Sequence, residues 1–155
     1  MAKSTGVRGV KEVNKNVNLI MSKINGPLSQ TTITKVLIAG NAAAAAITPI
    51  DTANMINSQF RSVDKVGGGW IGTAGYTAEY AKWVHEMPGT LKGKPRSEVK
   101  SFTTKSGSVA FASNQGNFWG PNGEPEFLLK GFERDALSQI VRIILDGYKI
   151  DANTR

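Results

Sequence analysis

The chain has 155 residues, 19 of them lysine or arginine and 12 aspartate or glutamate, so its formal net charge at pH 7 is +7. This length fits a single domain over residues 1–155, and a content of 40% apolar and 20% charged residues excludes a disordered or collagen-like chain. The chain has no cysteine, which excludes disulfides, thiolate metal sites and cysteine nucleophiles.

A first helix is predicted over residues 7–24, because apolar residues recur there every three or four positions on one helical face. Gly26 and Pro27 predict its end, with Gly26 as a left-handed cap, since proline cannot continue the backbone hydrogen bonds. The apolar face consists of Val10, Val13, Val17, Ile20 and Ile24.

A second helix is predicted from Ser29, as its N-cap, to about Ile47. The alanine run at residues 42–46 favours a helix and leaves a thin face that another backbone can approach closely. Pro49 ends this helix, because the residue before a proline avoids the helical region. Asp51 is then predicted as the N-cap of a short helix that extends to about Ser58.

A hairpin follows in the sequence. Residues 59–66 are predicted as a strand, the three glycines at 67–69 as a turn, and residues 70–73 as the return strand. Within residues 77–86, the helical spacing of Tyr80, Trp83 and Val84 predicts a short helix.

Residues 87–126 hold four of the six prolines and six of the seventeen glycines. A structureless connection of this length is unusual inside a domain. We therefore predict a second hairpin, formed by residues 102–104 and 108–111, that reaches out from the body, and a flexible loop at residues 114–123. Together these form an extended region at about 87–123.

The last predicted helix extends from about Glu126 to Tyr148 and has a broad apolar face. With the preceding elements it gives an α+β fold, in which a small antiparallel sheet with hairpins packs against two or three longer helices. The apolar face consists of Leu128, Phe132, Leu137, Ile140, Val141 and Ile144.

The positive charge is concentrated in two segments. Residues 1–36 contain six basic residues and one acidic residue, residues 92–105 contain five and one, and residues 111–155 contain five and six. This asymmetry indicates a polyanion or an acidic protein as a neighbour, although a solvated helix face and a loop would give the same pattern. The basic residues of the second segment are Lys92, Lys94, Arg96, Lys100 and Lys105.

The most apolar stretch, residues 36–47, has 12 residues, whereas a helix needs about 20 to cross a bilayer. Residues 1–6 contain no apolar segment of the kind found in secretory signals. We therefore expect a soluble domain that is made inside the cell, is not secreted and contacts no membrane.

Few residues could support catalysis. His85 is the only histidine, and it forms no metal-binding pattern with Glu86 alone. The glycines at 67–69 lack the lysine and the following helix of a phosphate-binding loop. Paired carboxylates for glycoside hydrolysis remain open, because their spacing is spatial. We expect no enzymatic activity, metal or cofactor.

Nucleic-acid binding is a second hypothesis, because the sequence pI is about 9.8. No zinc-finger, basic-zipper or ribonucleoprotein motif is present. Lysine outnumbers arginine in both basic segments, which suits attraction to phosphates more than the bidentate reading of bases. Any DNA contact is therefore expected to be independent of sequence.

Residues 47–58, with the sequence ITPIDTANMINS, resemble the signature of the gene-product-ten-like family of tailed-phage neck and tail-completion proteins. In that family a helix ends in Pro-Val-Asp-Thr-Gly, followed by a leucine, an arginine and Asn-Ser. Ala53 stands where the family usually has glycine, which argues against a positive φ at this position, and Ile56 stands where it usually has arginine. The matching residues are Pro49, Asp51, Thr52, Asn54, Asn57 and Ser58.

Two further segments are similar to the same family. Residues 80–86 resemble its Tyr-Ala-x-x-Val-His/Glu pattern, and residues 124–128 resemble the Pro-x-Phe-Leu entry into its last helix. In family order, the three segments span about half of the chain. The site residues that the second segment implies are Tyr80, Trp83, Val84, His85 and Glu86.

The resemblance implies an α+β subunit of a cyclic homo-oligomeric ring in the head–tail connector, assembled in the host cytoplasm and located in the virion. The implied partners are further copies of the chain, a portal-side adaptor or head-completion protein, and a tail terminator or tail-tube protein. The motif residues would shape the fold or contact neighbouring subunits. The basic residues of segment 92–105, or those of the first helix, would line a channel that passes genomic DNA or would meet an acidic neighbour.

Overall fold

A computed structural model describes residues 10–50, 53–103, 105, 107, 109–110, 112 and 116–148. The fold is α+β, as the sequence predicts. The helices are α1 (Val10–Lys23), α2 (Ser29–Ile47), α3 (Asn54–Asn57), α4 (Ala81–Glu86), α5 (Phe127–Lys130) and α6 (Leu137–Gly147). The strands are β1 (Gln59–Val66), β2 (Gly69–Tyr76), β3 (Pro95–Arg96), β4 (Phe102–Thr103), β5 (Val109–Ala110) and β6 (Gly116–Asn117).

The junction between α1 and α2 is a kinked π-turn over Ile24–Leu28. Gly26 has φ −118° and ψ −128°, so the chain is non-helical at this residue. The prediction that Gly26 is a left-handed cap is therefore wrong, although the helix is interrupted there. The indole Nε1 of Trp70, in the hairpin, donates to the Asn25 carbonyl at 3.0 Å and holds the kink from one side.

The prediction that Ser29 is an N-cap is also wrong. Ser29 already has helical dihedral angles, with φ −66° and ψ −43°, whereas an N-cap residue is extended. Its hydroxyl donates to the carbonyl oxygen of Ile24 and lies 2.9 Å from the Tyr148 hydroxyl. Ser29 therefore joins the kink to the end of α6.

Helix α2 lies at the centre, with the β1–β2 hairpin on one side and the C-terminal helices on the other. Gly131 contacts Ala44, whereas Gly147 contacts Thr32 near the other end of α2, so the C-terminal helices run antiparallel to it. A Cβ atom on Gly131 would lie 2.5 Å from the backbone of Ala44. The thin alanine face that the sequence predicts is thus confirmed.

The C-terminal helix is interrupted, whereas the sequence predicts one continuous helix. A π-turn at Gly131–Asp135 separates α5 from α6. Its predicted apolar face is divided as well, because Ile140 is buried while Leu137, Val141 and Ile144 are exposed. Packing against α2 uses only one side of that face.

Strands β1 and β2 form an antiparallel hairpin whose register extends from Gln59 opposite Tyr76 to Val66 opposite Gly69. The predicted bounds of β1 are confirmed, and β2 is longer than predicted. Burial raises the pKa of the Tyr76 phenol. Its hydroxyl lies 2.8 Å from that of Thr48, at the end of α2, and accepts a hydrogen bond from Gln59 Nε2 at 3.1 Å. The Thr48 contact attaches the hairpin to the end of α2, and the Gln59 bond joins the two strands of the hairpin.

The region 87–123 contains the predicted hairpin, in which β4 pairs with β5. It also contains a second antiparallel pair, β3 with β6. The prediction of a flexible loop is wrong for residues 116–123, because Phe118 N donates to the Lys94 carbonyl at 2.7 Å and Trp119 is 6% exposed. The aromatic side chain of Trp119 fixes this segment on the body.

Helix α1 forms nearly as predicted, but its predicted apolar face is covered only near its end. Val13 and Val17 of that face, and Met21 outside it, are each at least half exposed, whereas Ile20 and Ile24 are half-buried. The main contacts of α1 within the described part of the chain are with the π-turn that follows it. None of the described helices is both long and apolar enough to cross a bilayer.

Candidate functional site

An apolar cavity of about 230 Å³ lies where three distant parts of the chain meet. Pro49, Ile50 and Met55 line it from the segment after α2, and Tyr80, Val84 and Met87 line it from α4 and its end. The third side consists of Leu91, Phe118 and Trp119, from the region 87–123.

The backbone at the cavity takes the left-handed conformation at two residues that are not glycine. Ala53 has φ 59° and Trp119 has φ 54°, a conformation that costs an L-residue roughly 1–2 kcal/mol. The expectation that position 53 needs no positive φ is therefore wrong. Backbone strain of this kind is concentrated at binding sites in many proteins.

Helix α3 begins directly after Ala53, which occupies the N-cap position and makes no side-chain cap. The helix covers only Asn54–Asn57, shorter than predicted. Asp51, predicted as the N-cap, and Thr52 lie outside the described residues. The Ser58 hydroxyl closes the helix by donating to the Met55 carbonyl at 2.7 Å.

The three family-like segments are hydrogen-bonded to one another, and two of them, 47–58 and 80–86, line the cavity. The backbone N–H of Glu124 donates to the Ile47 carbonyl at 2.9 Å, and that of Glu126 donates to the His85 carbonyl at 2.8 Å. Asn54 Nδ2 donates to the Tyr80 hydroxyl at 3.1 Å. Each of these bonds joins two segments that are far apart in the sequence.

Phe127 is the packing centre behind the cavity, with no solvent exposure. Its ring meets the edges of Tyr76, at a centroid distance of 5.2 Å, and of His85, at 5.0 Å. Glu126, immediately before it, has φ 56° and turns the chain so that Phe127 points inward. His85 therefore packs in the core, and its Nε2 has no hydrogen-bond partner among the described residues.

Several predicted site residues do not reach the cavity. Trp83 is 68% exposed, and Asn57 and Glu86 are also exposed. Other predicted residues do reach it: Pro49, Tyr80 and Val84 line the cavity. Asn54 donates a hydrogen bond to Tyr80 at the rim. Ser58 and His85 hold the surrounding backbone through hydrogen bonds. Each of the two motifs thus contains some residues that shape the site and others that face solvent.

The basic residues predicted to contact DNA or an acidic partner are not among the residues that line the cavity. Lys92, Lys94, Lys100 and Lys105 are exposed, whereas Arg96 is half-buried and donates to the Ser97 carbonyl at 2.9 Å. Lys105 lies 3.7 Å from the Glu79 carboxylate. These lysines are thus exposed charges in the region 87–123.

A charged cluster stands at the entry to α5. Arg134 Nη1 donates to Glu124 at 2.8 Å, and its Nε donates to Asp135 at 2.6 Å. These hydrogen bonds hold the pKa values of both carboxyls below their usual range. The positive charge of Lys92 lowers the pKa of Glu124 further.

Chemically, the cavity is an apolar pocket that can receive an anchoring side chain. Its lining is mostly carbon, with the Tyr80 hydroxyl at the rim. The described residues contain no group of three acidic or histidine side chains that could hold a metal ion. The arrangement suits the insertion of an apolar side chain from a partner.

Sequence reasoning missed most of the aromatic and aliphatic lining. Ile50 and Met55 stand where the family signature has valine and leucine, and were not predicted as site residues. Leu91, Phe118 and Trp119 lie in a region rich in glycine and proline. The adjacent aromatics Phe118 and Trp119 were the available signal, because large aromatic side chains are seldom left in solvated loops.

Comparison with known proteins identifies no relative. No protein-family model matches the chain, and neither a curated protein nor a solved structure matches it. The family resemblance thus depends on the motif residues themselves.

Proposed function

We propose that this protein is a structural virion protein of a tailed phage and forms a ring in the head–tail connector, as a neck or tail-completion component. In this role it joins the DNA-filled head to the tail by binding copies of itself and stacked neighbours, and it performs no catalysis. The partners would be a head-side adaptor or head-completion protein and a tail terminator or tail-tube protein.

One observation carries the proposal. The segments at 47–58, 80–86 and 124–128, each similar to the same family, lie next to one another and are joined by backbone and side-chain hydrogen bonds. Segments that match a family by chance have no reason to converge. The left-handed backbone at Ala53, where that family usually has glycine, adds independent support.

The surface properties fit assembly. A ring closes through head-to-tail contacts, in which each subunit presents two different patches. The apolar cavity offers one concave patch, and exposed apolar side chains on α1 and α6 offer others. Exposed lysines of segment 92–105 facing the lumen would attract DNA phosphates without reading the sequence.

Mass photometry and negative-stain microscopy of the purified protein test the proposal. We expect a closed ring of uniform mass, and its yield should rise with protein concentration. A chain that stays monomeric at all concentrations, both alone and with head-side and tail-side connector proteins, contradicts the proposal. Density for the chain in the connector of the isolated particle supports it directly.

A second candidate function, non-specific nucleic-acid binding, is favoured by the exposure of Lys92, Lys94 and Lys100. It predicts that the free protein binds duplex DNA at physiological salt, with an affinity that falls steeply as salt rises. The double variant Lys94→Glu/Lys100→Glu should abolish this binding, whereas Lys35→Glu/Lys65→Glu, with the same charge change on the body, should weaken it less.

A further inference from the structure

Two apolar stripes are exposed on the described surface, and both follow helices. On α1, Val13, Val17 and Met21 lie four residues apart on one face and are between 50% and 60% exposed. On α6, the exposed apolar side chains are 37% to 63% exposed and lie beside the edge that packs on α2. They are Leu137, Val141, Ile144, Leu145 and Tyr148.

Helix α1 lacks support from its own chain. Residues 11–19 are all exposed, and an isolated helix of 14 residues is marginally stable in water. Only its end is held, through the Asn25 carbonyl and the Ser29 hydroxyl. An apolar face on such a helix is stabilised only when it packs on a surface outside the described body.

We propose that the α1 stripe of one copy packs on the α6 stripe of the next copy. The inference deepens the proposed ring and rests on it in taking the neighbour to be a second copy. Each subunit then makes the contact twice, giving α1 to one neighbour and α6 to the other. Because the two stripes differ, the contact is head-to-tail and can close into a ring.

The lengths of the two helices are compatible. α1, with 14 residues, is about 21 Å long at 1.5 Å per residue. α6 has 11 residues, or about 16 Å at the same rise. The α1 stripe from Val13 to Met21 rises about 12 Å at this spacing and can therefore cover about three quarters of the length of α6.

The segments that carry the two stripes have opposite net charges, although α6 itself contains only Arg142 and Asp146 and is neutral. Residues 10–24 contain three basic residues and one acidic residue, a net charge of +2, and residues 124–148 contain three basic and five acidic residues, a net charge of −2. The intervening residues 25–123 contain nine basic and five acidic residues. The segment that includes α6 is therefore the part of the described chain that attracts α1, while the rest repels it.

Cysteine cross-linking tests the contact. Because the sequence has no cysteine, only the introduced cysteines can react. We expect Val17→Cys/Val141→Cys, treated with a short bismaleimide, to give a ladder of oligomers up to the ring. Cross-linking within one chain would overturn the proposal, because α1 would then fold back on its own α6. Dimers of Val17→Cys alone, in equal yield, would also overturn it, because they indicate an α1–α1 contact.

A charge variant provides a second measurement. Val141→Glu places a carboxylate in the contact and should lower the association constant at least about tenfold. Val109→Glu, at an exposed valine of the β4–β5 hairpin, is the matched control and should leave it nearly unchanged. Circular dichroism and thermal unfolding check that both variants fold.

The two proposals fail in different ways. If the wild type forms rings and Val141→Glu leaves them intact, the α1–α6 contact is wrong and the ring stands. If the double cysteine variant gives a ladder but no closed ring forms with or without the neighbouring connector proteins, the contact stands and the proposed function is wrong.

Discussion

Helices α1 and α2 illustrate how similar sequence signals can lead to different structural roles. Both are helices of more than a dozen residues, and both end where the sequence predicts an interruption. α2 packs on the hairpin and on the C-terminal helices, with Leu37, Ala39 and Ala44 buried. α1 exposes Val13 and Val17 on its apolar face. An apolar stripe on a helix therefore does not by itself decide whether the body of the same chain covers it.

The largest expected loss of stability comes from a substitution in the core of the body. Phe127→Ala removes the fully buried ring that Tyr76 and His85 contact, and we expect a loss of about 3–5 kcal/mol in the free energy of unfolding. Urea unfolding measures it. Leu129→Ala, at an exposed position of the same helix, should cost far less, and equal losses would contradict the assignment of Phe127 as the packing centre.

The attachment of the hairpin to α2 should have the next largest effect. Tyr76→Phe removes the hydroxyl that contacts Thr48 and Gln59 and should cost about 1–2 kcal/mol, because partners in a partly buried network are left unsatisfied. Tyr80→Phe, whose hydroxyl accepts one bond from Asn54, is the control and should cost less. Chemical denaturation of both variants makes the comparison.

A substitution at position 53 should instead stabilise the protein. Ala53→Gly relieves the left-handed strain at φ 59° and should stabilise the protein by about 1 kcal/mol. In the ordinary helical backbone of α2, Ala42→Gly should destabilise it by about the same amount. A destabilised Ala53→Gly variant would show that this backbone conformation carries no strain.

The charged cluster should have a smaller effect, one that depends on pH. Arg134 lowers the pKa values of Glu124 and Asp135, so its contribution is fully present above the unfolded pKa values, about 4, and is lost as the pH falls through the lower folded values. Arg134→Gln should therefore lower the melting temperature at pH 7, with the difference vanishing in acid. Arg142→Gln, 3.7 Å from Asp146, should change it less.

The smallest effect is expected on α1. Val17→Ser should change the stability of the monomer by less than about 0.5 kcal/mol, because the side chain is half exposed. Val36→Ser, on the part of α2 that packs on the core, should cost several times more. If the two losses measured in dilute monomer are equal, α1 packs on its own body and the comparison fails.

The candidate site was only partly accessible to sequence reasoning. Pro49, Tyr80 and Val84 were predicted from motif resemblance, and they line the cavity. Trp119 was assigned to a loop, because the nearby glycines and prolines dominate the local pattern. Its burial depends on the segments at 47–50 and 87–91, which no local window contains.

The sequence by itself determined the elements whose signals are local. The ends of α2, the bounds of β1 and the glycine turn of the first hairpin follow from proline geometry, β-propensity and glycine conformations, each acting within a few residues. The tertiary structure alone decided which apolar faces are covered, why Ala53 is left-handed and where two distant motifs and the region 87–123 form one cavity. These features depend on contacts between residues far apart in the chain, and the free energy of such contacts is set by the packing of the whole body.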